Sequence, residues 1–310
     1  MDDRRPPSRA ERVLAIDIGG TKLATGFVDR AGGLSERREV ATDAAAGAQS
    51  ALDRALSLGE ELMRDGGGAP ALGLSTNGLT REDGVALAPA VPGWSALRIP
   101  ARLRERFPGL PAAILNDVKA ATLAELRWGA LRGIRDGLYV NLGTGIAAGL
   151  VVGGQLCQGA NGAAGEIGYL APSPDAVDRR RPGEALLEER LGGRGVATWA
   201  GAELGRPVTM ADLFAPEPGD ERIGRLRDRL LEEIYFWVAN VTVVLDPQRV
   251  AVGGGLMRAA SSLCAQIERA IARVGPFAVE VVPARFGAES SLLGAGAIAF
   301  DALDGGGAQA

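Results

Sequence analysis

The chain has 310 residues, 46% of them hydrophobic, with 34 basic side chains against 38 acidic. That is enough apolar material for two domains rather than one, and the near-balance of charge gives no pull toward a polyanion, so no nucleic-acid partner is expected. Histidine is absent, which excludes Ser-His-Asp and Cys-His nucleophiles, histidine-ligated metals and a histidine general base, and leaves a carboxylate as the expected base near neutral pH.

Residues 1–11 are charged and proline-bearing, with no apolar run behind them before the first strand, so they read as a disordered segment and not as a signal peptide or anchor. The first element is a hairpin: an apolar strand from Leu14 containing Asp17, a glycine turn at Gly19-Gly20, and a second apolar run from Leu23 to Val28. Ala44 to Arg64, with Leu52, Leu56 and Leu62 at helical spacing, is expected to be a helix ended by Gly66-Gly67-Gly68. Ala71 to Ser75 reads as a buried strand, Pro92-Gly93 as a turn before Trp94, and Ile99 to Phe107 as a helix. Ala112 to Leu115 is another strand, with Asn116-Asp117 at its end and a helix over Val118 to Leu131.

The second half repeats the scheme, with a hairpin at 138 to 156, helices near Leu186 to Leu204 and Asp220 to Val244, and a strand at Arg249 to Val252 that ends in Gly253-Gly254-Gly255. A helix over Ala259 to Val274, a strand over Val279 to Val282 and a final helix over Ser291 to Leu303 follow, and the tail 304–310 is expected to be disordered. The apolar stretch around Ile234 to Leu245 is too short to span a bilayer, and Cys157 and Cys264 lack CxxC spacing, so a cytoplasmic protein without a membrane partner is expected. Strands alternating with helices imply sheets covered on both faces, in two domains that meet at a ligand-binding cleft.

The two hairpins are variations on one design. Laid over each other, Asp17 falls on Asn141 and Gly19 on Gly143. Glycine turns let backbone N–H groups converge on an anion, and a carboxylate beside them can hold the metal that accompanies a phosphate. Gly-Gly and Gly-Thr-Gly also serve as ordinary hairpin turns. A polar residue in each apolar strand, two places before the glycines, favours the phosphate-binding reading.

Asn116-Asp117 lies at the C-terminal end of a strand, where α/β sheets bind ligands. Asp117 could simply cap the following helix, which explains one polar residue there and not two. A carboxylate in that place can accept an alcohol proton while a phosphoryl group is transferred. Glu166, set among glycines in 161–169, is either exposed on a loop or turned toward a ligand such as a sugar, whose hydroxyls donate well to carboxylates.

These motifs occur in an order that resembles the ROK family of sugar kinases and repressors, within the actin, hexokinase and Hsp70 superfamily, over residues 12 to 303. The resemblance implies a two-domain actin-like ATPase fold, ribonuclease H-like, with 12–117 plus 291–303 as the smaller domain and 118–290 as the larger. It implies ATP and Mg²⁺ as cofactors. Asp17 would bind the metal, through water; Gly19, Gly20, Thr21 and Lys22 would form one phosphate loop and Gly143, Thr144 and Gly145 the other; Gly253, Gly254 and Gly255 would lie near the adenosine. Asp117 matches the catalytic base, Asn116, Glu166 and Glu188 match sugar ligands, and Asn77-Gly78 matches a further loop against the sugar. The family's habit makes a homodimer the expected assembly.

The chain also departs from the family pattern. Tyr169 stands where most members carry a histidine that touches sugar and zinc, and 173–183 contains no cysteine where three zinc ligands would lie. Zinc is therefore not expected; Asp175, Asp178 and the arginines of 179–181 are expected to staple this loop instead. The expected activity is phosphorylation of the 6-hydroxyl of a hexose or amino-hexose of the glucose, glucosamine or kanosamine type. A sugar-responsive regulator without kinase activity is the alternative, and it would need a DNA-binding module for which only about a dozen residues precede the first hairpin.

Overall fold

The computed structural model describes residues 12–81, 84–86, 93–179, 181, 184–215, 220–258 and 262–305. Residues 1–11 and 306–310, Pro92 of the expected turn, the start of the helix expected from Ala259, and Arg180, Pro182 and Gly183 of the 173–183 loop lie outside them.

The described chain begins with β1 (Arg12–Ile18), β2 (Lys22–Asp29), β3 (Leu34–Ala41) and α1 (Ala48–Gly66), then β4 (Leu72–Thr76), a small hairpin of β5 (Leu79–Arg81) and β6 (Gly84–Ala86), α2 (Ile99–Arg106), β7 (Ala112–Asn116) and α3 (Asp117–Trp128). There follow β8 (Gly137–Leu142), β9 (Ile146–Val152), β10 (Gln155–Cys157), α4 (Pro174–Arg179), α5 (Leu186–Leu191), α6 (Gly193–Leu204), α7 (Met210–Phe214), α8 (Glu221–Leu245), β11 (Arg249–Gly253), α9 (Leu263–Val274), β12 (Glu280–Pro283) and α10 (Ser290–Leu303). The chain divides into two compact units. One holds the described residues up to Trp128, Gln158–Ala163 and those from Ala288 onward; the other holds Gly129–Cys157 and Ala164–Gly287.

The first unit is built on a sheet of order β3-β2-β1-β4-β7, with β1 and β2 antiparallel and β1, β4 and β7 parallel. Leu14, Ile16, Ile18, Leu23 and Phe27 face the buried stripe Leu52, Leu56 and Leu62 of α1, burial that supplies most of an amphipathic helix's stability. α1 stops at Gly67, whose left-handed φ of 86° turns its N–H back to the Met63 carbonyl. α3 and α10 lie close together because Gly294 of α10 lets backbones approach, a Cβ there overlapping the Ala120 carbonyl; on the other side, a Cβ at Gly73 of β4 would overlap the Ala295 carbonyl of α10. α3, placed by the sequence reading at the start of the second domain, is held in this unit by that packing.

The second unit repeats the plan, with a sheet of order β10-β9-β8-β11-β12. β8 and β9 are antiparallel, and β8, β11 and β12 are parallel. Its core joins Leu138, Val140, Val250 and Val252 of the sheet to Leu230, Ile234 and Val238 of α8 and to Ile267 and Ile271 of α9. The helical stretch expected near Leu186 to Leu204 is two helices, because Gly192 takes an extended conformation between them. Among the described residues no helix is long and apolar enough to cross a membrane.

Candidate functional site

In the first unit the polar residues gather at the C-terminal ends of the parallel strands. Asp17 of β1 pairs in register with Ser75 of β4, and Thr76 of β4 pairs with Asn116 of β7. The Asn116 carboxamide has two jobs: its oxygen accepts from the Lys119 N–H at 3.0 Å, capping α3, and its nitrogen donates to the Gly78 carbonyl at 3.3 Å. Asn77 donates to the Ile18 carbonyl at 3.4 Å. Asn77, Gly78 and Asn116 are thus tied to the strand ends that carry Asp17. Asn116 does the capping, while Asp117 begins α3 and accepts the Val118 N–H at 2.8 Å.

Asp17 has its pKa pushed up to about 7, chiefly by burial and further by the negative charge of Asp117; the Ser75 hydroxyl and the charge of Arg37 oppose the rise. A poorly solvated carboxylate with a second one close enough to raise it further offers oxygen donors whose charge a hard divalent cation would relieve. The residues present therefore fit Mg²⁺.

The Gly19 to Lys22 turn is braced from within. Gly19 N–H donates to the Lys22 carbonyl at 2.9 Å, and Thr42 donates through its hydroxyl to the Gly19 carbonyl at 2.7 Å and through its N–H to the Thr21 carbonyl at 2.9 Å. With these carbonyls engaged, the N–H groups of Gly20 and Thr21 are the turn's candidate anion donors. Lys22 pairs with Glu39 on β3 at 2.6 Å.

The second unit holds the matching turn. Gly143 N–H donates to the Gly145 carbonyl at 3.0 Å, and the Gly143 and Thr144 carbonyls accept from the N–H groups of Gly193 and Arg194, at the start of α6, at 3.0 and 3.4 Å. Gly253 pairs in register with Asn141, as Ser75 does with Asp17 in the first unit. Gly254 has a φ of 92°, and a Cβ there would overlap the Leu142 backbone.

Glu188 comes from α5 and reaches this turn. Its carboxylate accepts the Ile146 N–H at 3.2 Å and lies 3.8 Å from the Arg194 guanidinium. Burial raises its pKa, against the lowering effects of the Ile146 N–H and Arg194. The short helical turn Ile167–Tyr169 packs on Glu188 through Gly168, where a Cβ would come within 3.1 Å of the Glu188 Cβ. Glu166 precedes that turn, and its carbonyl accepts the Tyr169 N–H at 3.1 Å. Glu166, Tyr169 and Glu188 are thereby brought to one region of the second unit, while Asn161 and Gly162, from the same motif, belong to the first unit, where Gly162 sits against the Thr80 carbonyl.

Ser75, fully buried beside Asp17, and Arg37 are the residues missed by sequence reasoning. The rule that singles out Asp17 and Asn116, a polar residue at the end of an apolar strand, also picks out Ser75; Arg37 carried no such signal. Among the described residues no three of His, Cys, Asp and Glu are grouped to hold a metal.

The chain matches the ROK family over residues 13–302. It is 32% identical over 290 residues to an N-acetylmannosamine kinase of Escherichia coli O1:K1, covering 92% of this chain and 97% of that protein. Its structure resembles that of a ROK hexokinase from Thermus thermophilus, with a TM-score of 0.82, 31% identity and coverage of 95% and 99% of the two chains. A ROK family glucokinase from Streptomyces griseus, solved in complex with glucose and AMPPNP, shares the fold at a TM-score of 0.78 and 24% identity, with 94% and 99% covered.

Proposed function

The chain belongs to the ROK family, and on that premise we propose that it is an ATP-dependent sugar kinase that phosphorylates the 6-hydroxyl of a hexose or amino-hexose. The observation that carries the reading is the placement of Asp117: a carboxylate at the head of α3, beside a buried Asn116 and within the electrostatic reach of Asp17. Relatives named as an N-acetylmannosamine kinase and a hexokinase support the reaction class.

In this reading Asp117 takes the proton of the sugar hydroxyl as that oxygen attacks the γ-phosphorus, and the β–γ bridging oxygen leaves with ADP. The proton on Asp117 is then released to solvent. Asn77, Gly78 and Asn116 are the proposed sugar ligands of the first unit, and Glu166, Tyr169 and Glu188 those of the second. The N–H groups of the Gly19 to Lys22 and Gly143 to Gly145 turns bind phosphate oxygens, and Gly253 to Gly255 admit the nucleoside. Asp17 would hold Mg²⁺, which would supply charge neutralisation for the transferring phosphoryl group.

Tyr169 distinguishes the acceptor pocket from a histidine-bearing one, because a phenol is longer than an imidazole and offers a single hydroxyl. Glu166 and Glu188 can each meet an ammonium, which points to amino sugars among the acceptors. The test is ADP release over a panel containing glucose, mannose, glucosamine, N-acetylmannosamine and 3-amino-3-deoxyglucose. Turnover of at least one of these as a 6-phosphate is expected, and no sugar-dependent ADP release from any hexose would overturn the proposal.

A further inference from the structure

One group of charges beside the first phosphate loop has no part in the steps above. Asp17 pairs across the sheet with Ala24, and Ala24 with Glu39, so these three residues stand side by side and project from one face. Lys22, two residues before Ala24 on β2, projects from that same face. On β3 a bulge sets Glu36 and Arg37 opposite the single residue Gly26, with Glu36 at a φ of 53°. Bulges re-aim side chains, and here the Arg37 guanidinium is brought onto Glu39.

Glu39 therefore serves two cations. Its Oε1 accepts from the Lys22 ammonium at 2.6 Å, and its Oε2 is paired with Arg37. Within Lys22, Glu39 and Arg37 the cations exceed the carboxylate by one charge, and the carboxyl of Asp17 stands beside them on the same face. Arg37 also lies 3.9 Å from the half-exposed Glu289, a longer contact than the one it makes with Glu39. Exposed ion pairs add little to stability, so a mere brace between β2 and β3 would gain little from this arrangement. An electrostatic role toward an anion at the adjoining turn uses it fully.

We propose that Lys22, Glu39 and Arg37 form a charge triad that holds the nucleotide polyphosphate at the first phosphate loop, with Arg37 as a phosphate-positioning residue and Glu39 as the carboxylate that fixes Lys22 and limits the net positive charge. The inference rests on the reading of Gly19 to Lys22 as a phosphate loop. The Lys22 side chain is 66% exposed and its stem is flexible, so its ammonium can turn from Glu39 to a phosphate oxygen while Arg37 retains the carboxylate.

The two partners of the ion pair then act in opposite directions. Arg37→Gln removes one of the triad's two cations, and the MgATP dissociation constant is expected to rise about fivefold, with a shallower dependence on salt. Glu39→Gln leaves two cations uncompensated, and MgATP is expected to bind a few-fold tighter, with a steeper salt dependence. Arg37→Lys, which keeps the charge, should stay near wild type, and sugar affinity should be unchanged in all three. Isothermal titration with MgATP alone reads these constants. If Arg37→Gln and Glu39→Gln shift affinity in the same direction, or neither shifts it, the triad is a structural brace and the proposal fails. Lys22→Ala separates the two levels: wild-type affinity there overturns the phosphate-loop reading itself, whereas weakened binding in Lys22→Ala with an unchanged Arg37→Gln overturns the triad alone.

Discussion

Glu188 and Gly145 share one space. A side chain at position 145 would overlap the Glu188 carboxylate, which accepts the N–H of the next residue, Ile146, at 3.2 Å. The second glycine turn is thus built around an acidic side chain from α5, and a glycine that reads as a phosphate-loop residue is also what admits a candidate sugar ligand.

Gly145→Ala is therefore expected to displace Glu188 while leaving the rest of the sheet in place. A displacement on the order of 1 Å in a positioning group can cost about 10²-fold in rate. Steady-state kinetics should show that loss in kcat/KM for the sugar, with a melting temperature close to wild type. Unimpaired turnover would mean that Glu188 has no part in acceptor binding.

The raised pKa of Glu188 sets a sign for stability. Burial lifts its folded value above the ordinary 4.5, so the folded state holds its proton more tightly than the unfolded chain. Stability from this group is greatest below that ordinary value and declines as pH rises through the folded value. Glu188→Gln, which keeps the shape without the charge, is expected to be more stable than wild type at pH 7, with the difference shrinking toward pH 5. Urea titrations at the two pH values measure it, and an advantage that grows on acidification would contradict the burial account.

Much of this site was legible because its residues break an apolar pattern. Asp17, Asn116 and Asn141 stand out in strands that otherwise have every reason to be hydrophobic, and each lies at or one residue before the C-terminal end of its strand. β3 was not legible. Its sequence, Leu-Ser-Glu-Arg-Arg-Glu-Val-Ala, is largely exposed along an edge and carries a bulge, so period-two alternation is lost where Arg37 sits. The division of 161–169 between the two units was equally hidden, since Gly162 is placed by a contact with Thr80, far away in the chain.

Tyr139 and Gly253 form a second coupled pair. The Tyr139 ring, 3% exposed, fills the volume that a side chain at 253 would need. Gly253→Ala is expected to destabilise by about 1–3 kcal/mol through overpacking. Combined with Tyr139→Leu, part of that cost should vanish, giving a coupling of about 0.5–3 kcal/mol in a double-mutant cycle. Strict additivity would place the strain elsewhere.

Zinc is expected to be absent from the native protein. The chain has no histidine and only two cysteines, Cys157 and Cys264, both free and far apart in sequence. Elemental analysis should find it well below one equivalent, and a chelator should leave the melting temperature unchanged. Stoichiometric zinc would contradict the reading of 173–183 as a metal-free loop.

If Asp117 removes the proton from the sugar hydroxyl, Asp117→Asn should sharply lower turnover without abolishing binding. Asparagine preserves the size of the side chain and its ability to accept the Val118 N–H, but it cannot take a proton. Sugar-dependent ADP release should fall by about 10² or more, as is typical when a general base is lost, while MgATP and sugar still bind. Wild-type turnover in this variant, with every sugar of the panel, would contradict the account.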